Sequence, residues 1–222
     1  MTGDALVALE RAGFSRRDFL KTSGALIVVF SSVPVDESLG GQGPFGTRAS
    51  HIDPARLDSW IAIDARGTVT AYTGKCELGQ GMQTAQMQLV AEELSIPIAK
   101  VRLVMCDTAV SPDQGTTSGS QSTPTNFNDQ NLARAAASAR ASLLRLGAER
   151  LQLGTSQVMA VDGAIRSIDD PSRRVAYGAL LAGSTLNVPL DLAALRKAPR
   201  TWTVLGTAVP RVDMVEMATG RF

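Results

Sequence analysis

One loop of this chain combines an amide side chain with bare backbone on both sides of it. Residues 74–84 read Gly-Lys-Cys-Glu-Leu-Gly-Gln-Gly-Met-Gln-Thr, so Gln80 stands between Gly79 and Gly81. Glycine has no Cβ atom, so its backbone adopts φ > 0 easily and can come close to a ligand. An amide in such a loop can donate a hydrogen bond to a ligand oxygen that bulkier neighbours would cover. Glu77 adds a carboxylate, which is either a general base or a group tied to local backbone N–H groups.

A second loop consists almost wholly of hydroxyl, amide and glycine residues. It spans residues 112–123 and follows a short apolar run at 101–105. Backbone N–H groups and hydroxyls of this kind form concave sites for phosphate, and a helix beginning near Asn128 or Asp129 would add its positive dipole end. The same composition is also typical of a solvated flexible linker. The loop is therefore either an anion-binding element or a linker.

Short-range patterns predict the elements that hold the two loops. Residues 59–63 and 68–72 are apolar and β-branched runs around an Asp-Ala-Arg-Gly turn, which predicts a hairpin. Residues 83–94 predict a helix that ends before Pro97, and residues 101–105 predict a buried strand. The apolar face of this helix consists of Met87, Val90, Ala91 and Leu94.

A longer apolar stripe predicts a second helix. Its positions alternate in spacing between four and three, which predicts a core-facing helix with a solvated basic face. Gly154 would end this helix, residues 157–161 and 164–168 predict a second hairpin, and residues 169–199 predict one or two short helices. The stripe consists of Leu132, Ala136, Ala139, Leu143 and Leu146, and the basic face of Arg134, Arg140, Arg145 and Arg150. The predicted fold class is α/β (α+β), a mixed sheet with packed helices.

Taken together, the motifs resemble a known family. Cys-Glu-Leu-Gly-Gln-Gly at 76–81, Ala-Glu-Glu-Leu at 91–94, Cys-Asp-Thr at 106–108 and the hydroxyl-rich run at 113–123 occur in a characteristic order. They are similar to the molybdopterin-binding subunit of the xanthine dehydrogenase/aldehyde oxidase family, in particular to the isoquinoline 1-oxidoreductase β-subunit type. The resemblance covers residues 60–222 and is densest before residue 148.

The resemblance implies a cofactor and the residues that bind it. The cofactor is molybdopterin, in the cytosine dinucleotide form, with molybdenum and with no metal ligand from this chain. Gln80 matches the glutamine that hydrogen-bonds the apical oxo ligand of molybdenum, and Gly79 and Gly81 match the backbone beside the pterin. The second loop would contact the pterin or the dinucleotide diphosphate. Its implied residues are Thr116, Thr117, Ser118, Gly119, Ser120 and Ser122.

The resemblance also implies an activity that needs more than this chain. The family hydroxylates aldehydes or N-heterocycles with water as the oxygen source, and its catalytic glutamate lies in a Gly-Glu-Pro-type motif of a much longer chain. No Gly-Glu-Pro occurs here, so we expect part of a molybdenum oxidoreductase that is inactive alone. The implied partners are the remaining part of the molybdenum subunit and a small 2Fe–2S subunit. The alternative is an exported non-catalytic interaction module, or a truncated remnant of such a subunit.

The N-terminus has the pattern of a twin-arginine export signal. Residues 15–21 read Ser-Arg-Arg-Asp-Phe-Leu-Lys, and an apolar run follows at 25–30. This run is shorter than the roughly 20 apolar residues that span a bilayer, and the pattern predicts a periplasmic protein, free or membrane-associated. The predicted organisation is a leader at 1–38, a linker at 39–56, a molybdopterin-binding-type domain at 57–200, and a segment at 201–222 that leads toward a further domain.

Composition narrows the function class. The 222 residues carry a net charge of +1 and are 44% hydrophobic, which allows a core and, without a basic patch, argues against nucleic-acid binding. The single histidine, His51, lies in the linker, so a Ser–His nucleophile has no support. Cys76 and Cys106 are either a disulfide in an oxidising compartment or two packed thiols.

Overall fold

The structure is a computed structural model that describes residues 52–114, 117, 131–182 and 185–221. Its first sheet has the order β1–β2–β3, with β1 at Ile61–Ile63, β2 at Val69–Thr73 and β3 at Val101–Met105. β1 and β2 are antiparallel, and the turn between them closes where the Gly67 N–H donates to the Asp64 carbonyl at 2.9 Å. The first predicted hairpin is confirmed.

β2 and β3 are parallel, with Val69 opposite Val101 and Thr73 opposite Met105. Parallel neighbours need a crossover, and helix α1, Met82–Leu94, provides it. The prediction that β3 is buried is wrong beyond Val101, because the strand lies at the edge of the sheet and its other side chains are partly or fully exposed.

The second sheet is an antiparallel meander of β4 (Val158–Val161), β5 (Ala164–Ser167) and β6 (Arg174–Ala176). Its first turn has Asp162 at φ 46° and Gly163 at φ 72°, the left-handed pair that favours a tight hairpin, so the second predicted hairpin is confirmed. β6 lies where only helices were predicted. Its three residues are too few to show a period of two.

Helix α2, Leu132–Leu151, packs on α1 and on both sheets. It begins at Leu132, after the predicted position, with the Asn131 side chain accepting the Arg134 N–H at 3.0 Å as its N-cap. It ends at Leu151, and the next residue, Gln152, is its C-cap with φ 54°, so Gly154 does not cap the helix as predicted. The predicted stripe is confirmed, with Leu132, Ala136, Ala139 and Leu143 buried and Leu146 partly buried.

The predicted solvated basic face exists only in the second half of α2. Arg145 and Arg150 are exposed, but Arg134 donates to the Leu192 carbonyl at 2.7 Å. Arg140 forms an ion pair with Glu93 at 3.2 Å, and its side chain is 19% exposed. The prediction was wrong for Arg134 and Arg140 because groups from distant segments bind them.

Residues 197–213, here called the strap, lie along α1. At the C-terminal end of α1, Glu92 has a fully buried side chain and its Oε2 accepts three consecutive N–H groups of the strap. These donors are Thr203, Val204 and Leu205, at 2.7, 2.6 and 3.1 Å. Lys197 Nζ adds an ion pair to Glu92 Oε1 at 3.2 Å. The buried charge is thus both paired and hydrogen-bonded, as burial of a carboxylate requires.

The neighbouring carboxylate, Glu93, is also fully buried and holds the same segment. It accepts the Lys197 N–H at 3.1 Å and pairs with Arg140 at 3.2 Å and Arg196 at 3.6 Å.

Two further α-helices complete the described part of the chain, α3 at Tyr177–Leu181 and α4 at Met214–Thr219. Within the described ranges, no helix has the length and apolar character needed to cross a bilayer.

Candidate functional site

Both loops that the sequence singled out leave the first sheet at the same edge. β2 ends at Thr73 and continues into residues 74–81, here called the Gln80 loop. β3 ends at Met105 and leads to residues 112–123, here called the hydroxyl loop, of which 112–114 and 117 are described. Because β2 and β3 run in parallel, their carboxyl ends adjoin, and such an edge is where α/β sheets commonly bind ligands.

The start of the Gln80 loop packs directly on the hydroxyl loop. Gln114 Oε1 accepts from the Thr73 hydroxyl at 2.7 Å and from the Gly74 N–H at 2.8 Å. A Cβ atom built on Gly74 would lie 2.3 Å from the Pro112 carbonyl oxygen. No side chain fits there, so glycine is needed for the two loops to come this close.

One described hydroxyl of the second loop also supports the first loop. Thr117 Oγ1 accepts the Cys76 N–H at 3.0 Å, and Lys75 Nζ donates to the Gln114 carbonyl at 2.6 Å. Thr117 therefore faces the Gln80 loop. The other predicted residues of the hydroxyl loop, Thr116, Ser118, Gly119, Ser120 and Ser122, lie outside the described residues, and so does the predicted leader at 1–38.

Glu77 determines the shape of the Gln80 loop. Its Oε1 accepts the N–H groups of Gly79 at 2.8 Å and Gly81 at 3.0 Å, and its Oε2 accepts that of Gln83 at 2.9 Å. Of the two roles considered from the sequence, the structure shows the carboxylate tied to backbone. Burial disfavours the charge of Glu77, but these three hydrogen bonds, together with the positive charge of Arg211, outweigh it and lower the pKa of Glu77.

Gln80 lies on the exposed side of its loop. Its Oε1 accepts the Leu78 N–H at 2.5 Å, and its Nε2 donates to the Cys76 carbonyl at 3.2 Å. An amide nitrogen carries two hydrogens, and the hydrogen bond to Cys76 uses one. The second is directed away from this contact, on a side chain at the surface.

The glycines beside Gln80 have the backbone geometry that their position predicts. Gly79 has φ 97° and Gly81 has φ 79°, and a Cβ atom built on either would have nothing within 4 Å. Their N–H groups already bind Glu77. The loop thus offers a ligand an open approach and a side-chain amide rather than a cradle of backbone donors.

Arg211 contacts this loop from the strap, and sequence reasoning missed it. Its Nη1 donates to the Gly79 carbonyl at 2.9 Å, and its Nη2 lies 3.8 Å from Glu77 Oε1. Asp213 holds the same guanidinium through two hydrogen bonds, at 2.9 and 2.6 Å. Opposite charges two residues apart were the available signal, but nothing in the sequence placed that pair beside residue 79.

Cys76 and Cys106 are free thiols in the structure. Partial burial and a hydrogen bond with the Cys76 thiol raise the pKa of Cys106 to about 11, so the Cys106 thiol is protonated near neutral pH. Among the residues that the structure describes, no group of three or more His, Cys, Asp or Glu side chains could hold a metal ion.

Comparison with known proteins gives one matching family model and several relatives. The model, described as a molybdopterin cofactor-binding domain, matches residues 35–210. A nicotinate dehydrogenase subunit of Pseudomonas putida is 30% identical over 210 residues, which are 93% of this chain and 17% of that protein. The β-subunit of isoquinoline 1-oxidoreductase from Brevundimonas diminuta is 31% identical over 186 residues, 78% of this chain and 22% of that one.

Among solved structures, a Cu,Mo-CO dehydrogenase matches 54% of this chain and 15% of its own, with 28% identity and a TM-score of 0.47. The chain spans only 17% and 22% of the lengths of the two curated relatives named above. The family resemblance noted from the sequence is confirmed by the matching model and the two relatives. The elements of the chain itself confirm the predicted mixed α/β fold with packed helices.

Proposed function

This chain belongs to the molybdopterin cofactor-binding domain family, and from that premise we propose that it is the cofactor-binding portion of a molybdenum hydroxylase. The observation that carries the proposal is the Gln80 loop. It presents an exposed amide between two glycines beside which there is open space. These residues fit the cofactor, because a bulky ligand can come close to the loop and still receive a hydrogen bond.

The residues of the two loops would divide the binding of the cofactor. Gln80 would donate the second hydrogen of its Nε2 to the cofactor, while Gly79 and Gly81 would let the pterin approach the backbone. The hydroxyl loop binds the pterin or the diphosphate of the cytosine dinucleotide form. Support for a shared site comes from the Cys76–Thr117 hydrogen bond at 3.0 Å, which ties this second loop to the first.

When bound, the molybdenum cofactor supplies the redox centre for hydroxylation with water as the oxygen source. We propose that the catalytic base comes from outside this sequence and that the chain alone does not turn over substrate. The support is that Glu77, the carboxylate nearest to Gln80 in the chain, already accepts three backbone N–H groups and has a lowered pKa. Its role is to hold the loop rather than to accept a proton.

The relatives support a substrate class and partners. Nicotinate dehydrogenase and isoquinoline 1-oxidoreductase are named for nitrogen heterocycles, and both relatives are named as subunits. We propose as the substrate an N-heterocycle, which these names support, or an aldehyde, which the family resemblance implies. The same resemblance is the basis for proposing a complex with the rest of a molybdenum subunit and a small 2Fe–2S subunit. The twin arginines at 16–17 support export to the periplasm by the twin-arginine route, free or membrane-associated.

The test replaces Gln80 by alanine in the full chain, purified with its partners. We expect Gln80→Ala to lower kcat by about 10- to 100-fold, the usual effect of removing a hydrogen bond around a metal centre, while most of the molybdenum is retained. Gln88→Ala is the matched control, because it removes an amide of α1 that contacts the Val204 carbonyl at 3.3 Å instead of the loop.

The proposal is supported if the wild-type complex contains molybdenum and releases a pterin, and if turnover is lowered only in Gln80→Ala. Unchanged turnover in Gln80→Ala would contradict the role of Gln80. A stable wild-type complex without molybdenum would instead support the alternative, an exported non-catalytic interaction module that keeps the fold.

A further inference from the structure

The Gln80 loop is held from outside as well as from within. Glu77 lies inside the loop and accepts three N–H groups of the loop and the start of α1. The strap contributes a contact that reaches the backbone of the loop from more than a hundred residues away. In this contact, Arg211 Nη1 donates to the Gly79 carbonyl at 2.9 Å. Gly79 is the residue directly before Gln80.

The position of Arg211 is set by its own supports. Asp213 accepts from both Nε and Nη2 of the guanidinium, in the forked geometry that makes an arginine–carboxylate pair directional. This pair lowers the pKa of Asp213, and the Asp213 side chain is only 7% exposed. One residue along, the Val212 N–H donates to Thr84 Oγ1 in the first turn of α1 at 3.0 Å. The remaining guanidinium nitrogen, Nη1, is therefore aimed at the loop.

Charge strengthens this arrangement. Arg211 Nη2 lies 3.8 Å from Glu77 Oε1, the oxygen that accepts the N–H groups on both sides of Gln80. The cation thus stabilises the ionised carboxylate that shapes the loop, and it also fixes a carbonyl of the same loop. Both contacts act on the neighbours of Gln80. None of the hydrogen bonds of Arg211 in the described residues is to Gln80 itself.

From these contacts we propose that Arg211 is a positioning residue for Gln80. It holds the loop in the conformation that presents the Gln80 amide, and it links that conformation to docking of the strap on α1. The inference deepens the proposed function and rests on it for the role of Gln80. The claim about loop conformation rests only on the contacts of Arg211.

The first test measures amide hydrogen exchange in the full chain. We expect Arg211→Gln to speed exchange at Gly79 and Gly81 by about tenfold or more, because local opening of the loop loses two restraints. Exchange at Thr203–Leu205, bound to Glu92, should stay within about twofold. Thr84→Val is the matched control, because it removes a strap contact of similar length but leaves Arg211 in place.

A second variant separates geometry from charge. Arg211→Lys keeps the positive charge but cannot hold Asp213 in a fork and reach Gly79 at once. It should therefore speed loop exchange less than Arg211→Gln but more than Thr84→Val. If both Arg211 variants leave the exchange of Gly79 and Gly81 at the wild-type rate, the proposal is overturned. If Thr84→Val speeds it equally, Arg211 only helps to dock the strap and the proposal is also overturned.

The second test uses the complex with its partners. We expect Arg211→Gln to lower kcat by about tenfold with KM and molybdenum content little changed, the pattern of a misplaced rather than a missing group. Full kcat in Arg211→Gln despite fast loop exchange would overturn the link to Gln80. If the wild-type complex lacks molybdenum, the proposed function fails, and fast exchange in Arg211→Gln would still support the claim that Arg211 orders the loop.

Discussion

At each end of helix α1 lies a carboxylate that accepts three backbone N–H groups, but the surroundings of the two differ. Before the helix, Glu77 accepts three backbone N–H groups from residues two, four and six positions along the chain. Near its C-terminal end, Glu92 accepts three from residues 111 to 113 positions away. Each carboxylate also has a cation nearby, Arg211 at 3.8 Å and Lys197 at 3.2 Å.

The difference between them lies in range and burial. The Glu77 side chain is 13% exposed and its hydrogen bonds close one short loop, whereas that of Glu92 is fully buried and joins parts of the fold. A carboxylate that accepts several N–H groups is therefore not evidence of catalysis by itself. Its partners' distance along the chain decides whether it shapes a loop or holds a fold together.

The largest effect is expected for Glu92→Gln. Glutamine keeps the size, but its NH₂ group must face either the three N–H donors or the Lys197 ammonium, and Lys197 loses its charge partner. Breaking a buried pair of this kind costs about 3 kcal/mol or more. Urea unfolding of the full chain measures this loss, with the exposed Glu149→Gln on α2 as the matched control. A loss no larger than that of the control would show that the Glu92 contacts do not hold the strap.

Lowering the pH should reduce the difference in stability between wild type and Glu92→Gln. Burial disfavours the charge of Glu92, but the N–H groups of Val204, Thr203 and Leu205 and the Lys197 ammonium outweigh it and lower the pKa of Glu92. A lowered folded-state pKa gives stability that is present above the ordinary glutamate pKa of about 4.3 and is lost as pH falls through the folded-state value. The difference in free energy of unfolding between wild type and Glu92→Gln should therefore shrink as the pH is lowered from 7 to 3. Urea unfolding at intervals of roughly one pH unit measures this change. A constant difference would mean that folding does not shift the pKa of Glu92, and a difference that grows as pH falls would mean that folding raises it.

The smallest effect on global stability is expected for Glu77→Gln. The loop keeps one acceptor oxygen, so the loss should be about 1 kcal/mol. Exchange of the Gly79, Gly81 and Gln83 amides should still become faster, because each binds the Glu77 carboxylate. Urea unfolding combined with residue-resolved hydrogen exchange checks both expectations. Equal losses for Glu77→Gln and Glu92→Gln would remove the distinction between a local and a long-range carboxylate.

Local signals in the sequence predicted much of the fold. The Asp-Gly pair at 162–163 and the spacing of the α2 stripe are short-range patterns, and the structure has the hairpin and the helix they indicate. Errors arose where distant segments decide the outcome. Arg140 looked solvated because its partner Glu93 lies 47 positions earlier, on α1. β6 was missed because three residues carry no period and are defined by their pairing with β5.

The candidate site shows the same division between features that local sequence predicts and features that distant segments decide. The bare backbone around Gln80 could be read from Gly79 and Gly81, because a positive φ is a local property that favours glycine. The parallel pairing of β2 with β3 brings Thr117 beside Cys76, and no pattern within either loop contains that contact. Arg211 was missed for the same reason, since 132 residues separate it from Gly79.

The long reach of the strap also has a consequence for the order of folding. Synthesis runs from the N-terminus. Helix α1, with Glu92 and Glu93, therefore leaves the ribosome more than a hundred residues before Thr203, Val204 and Leu205 are made. Until then Glu92 has no backbone donors to replace water, and burying its charge would be costly. We therefore expect the nascent helix to keep this face hydrated and the domain to close around α1 only after the strap has been translated.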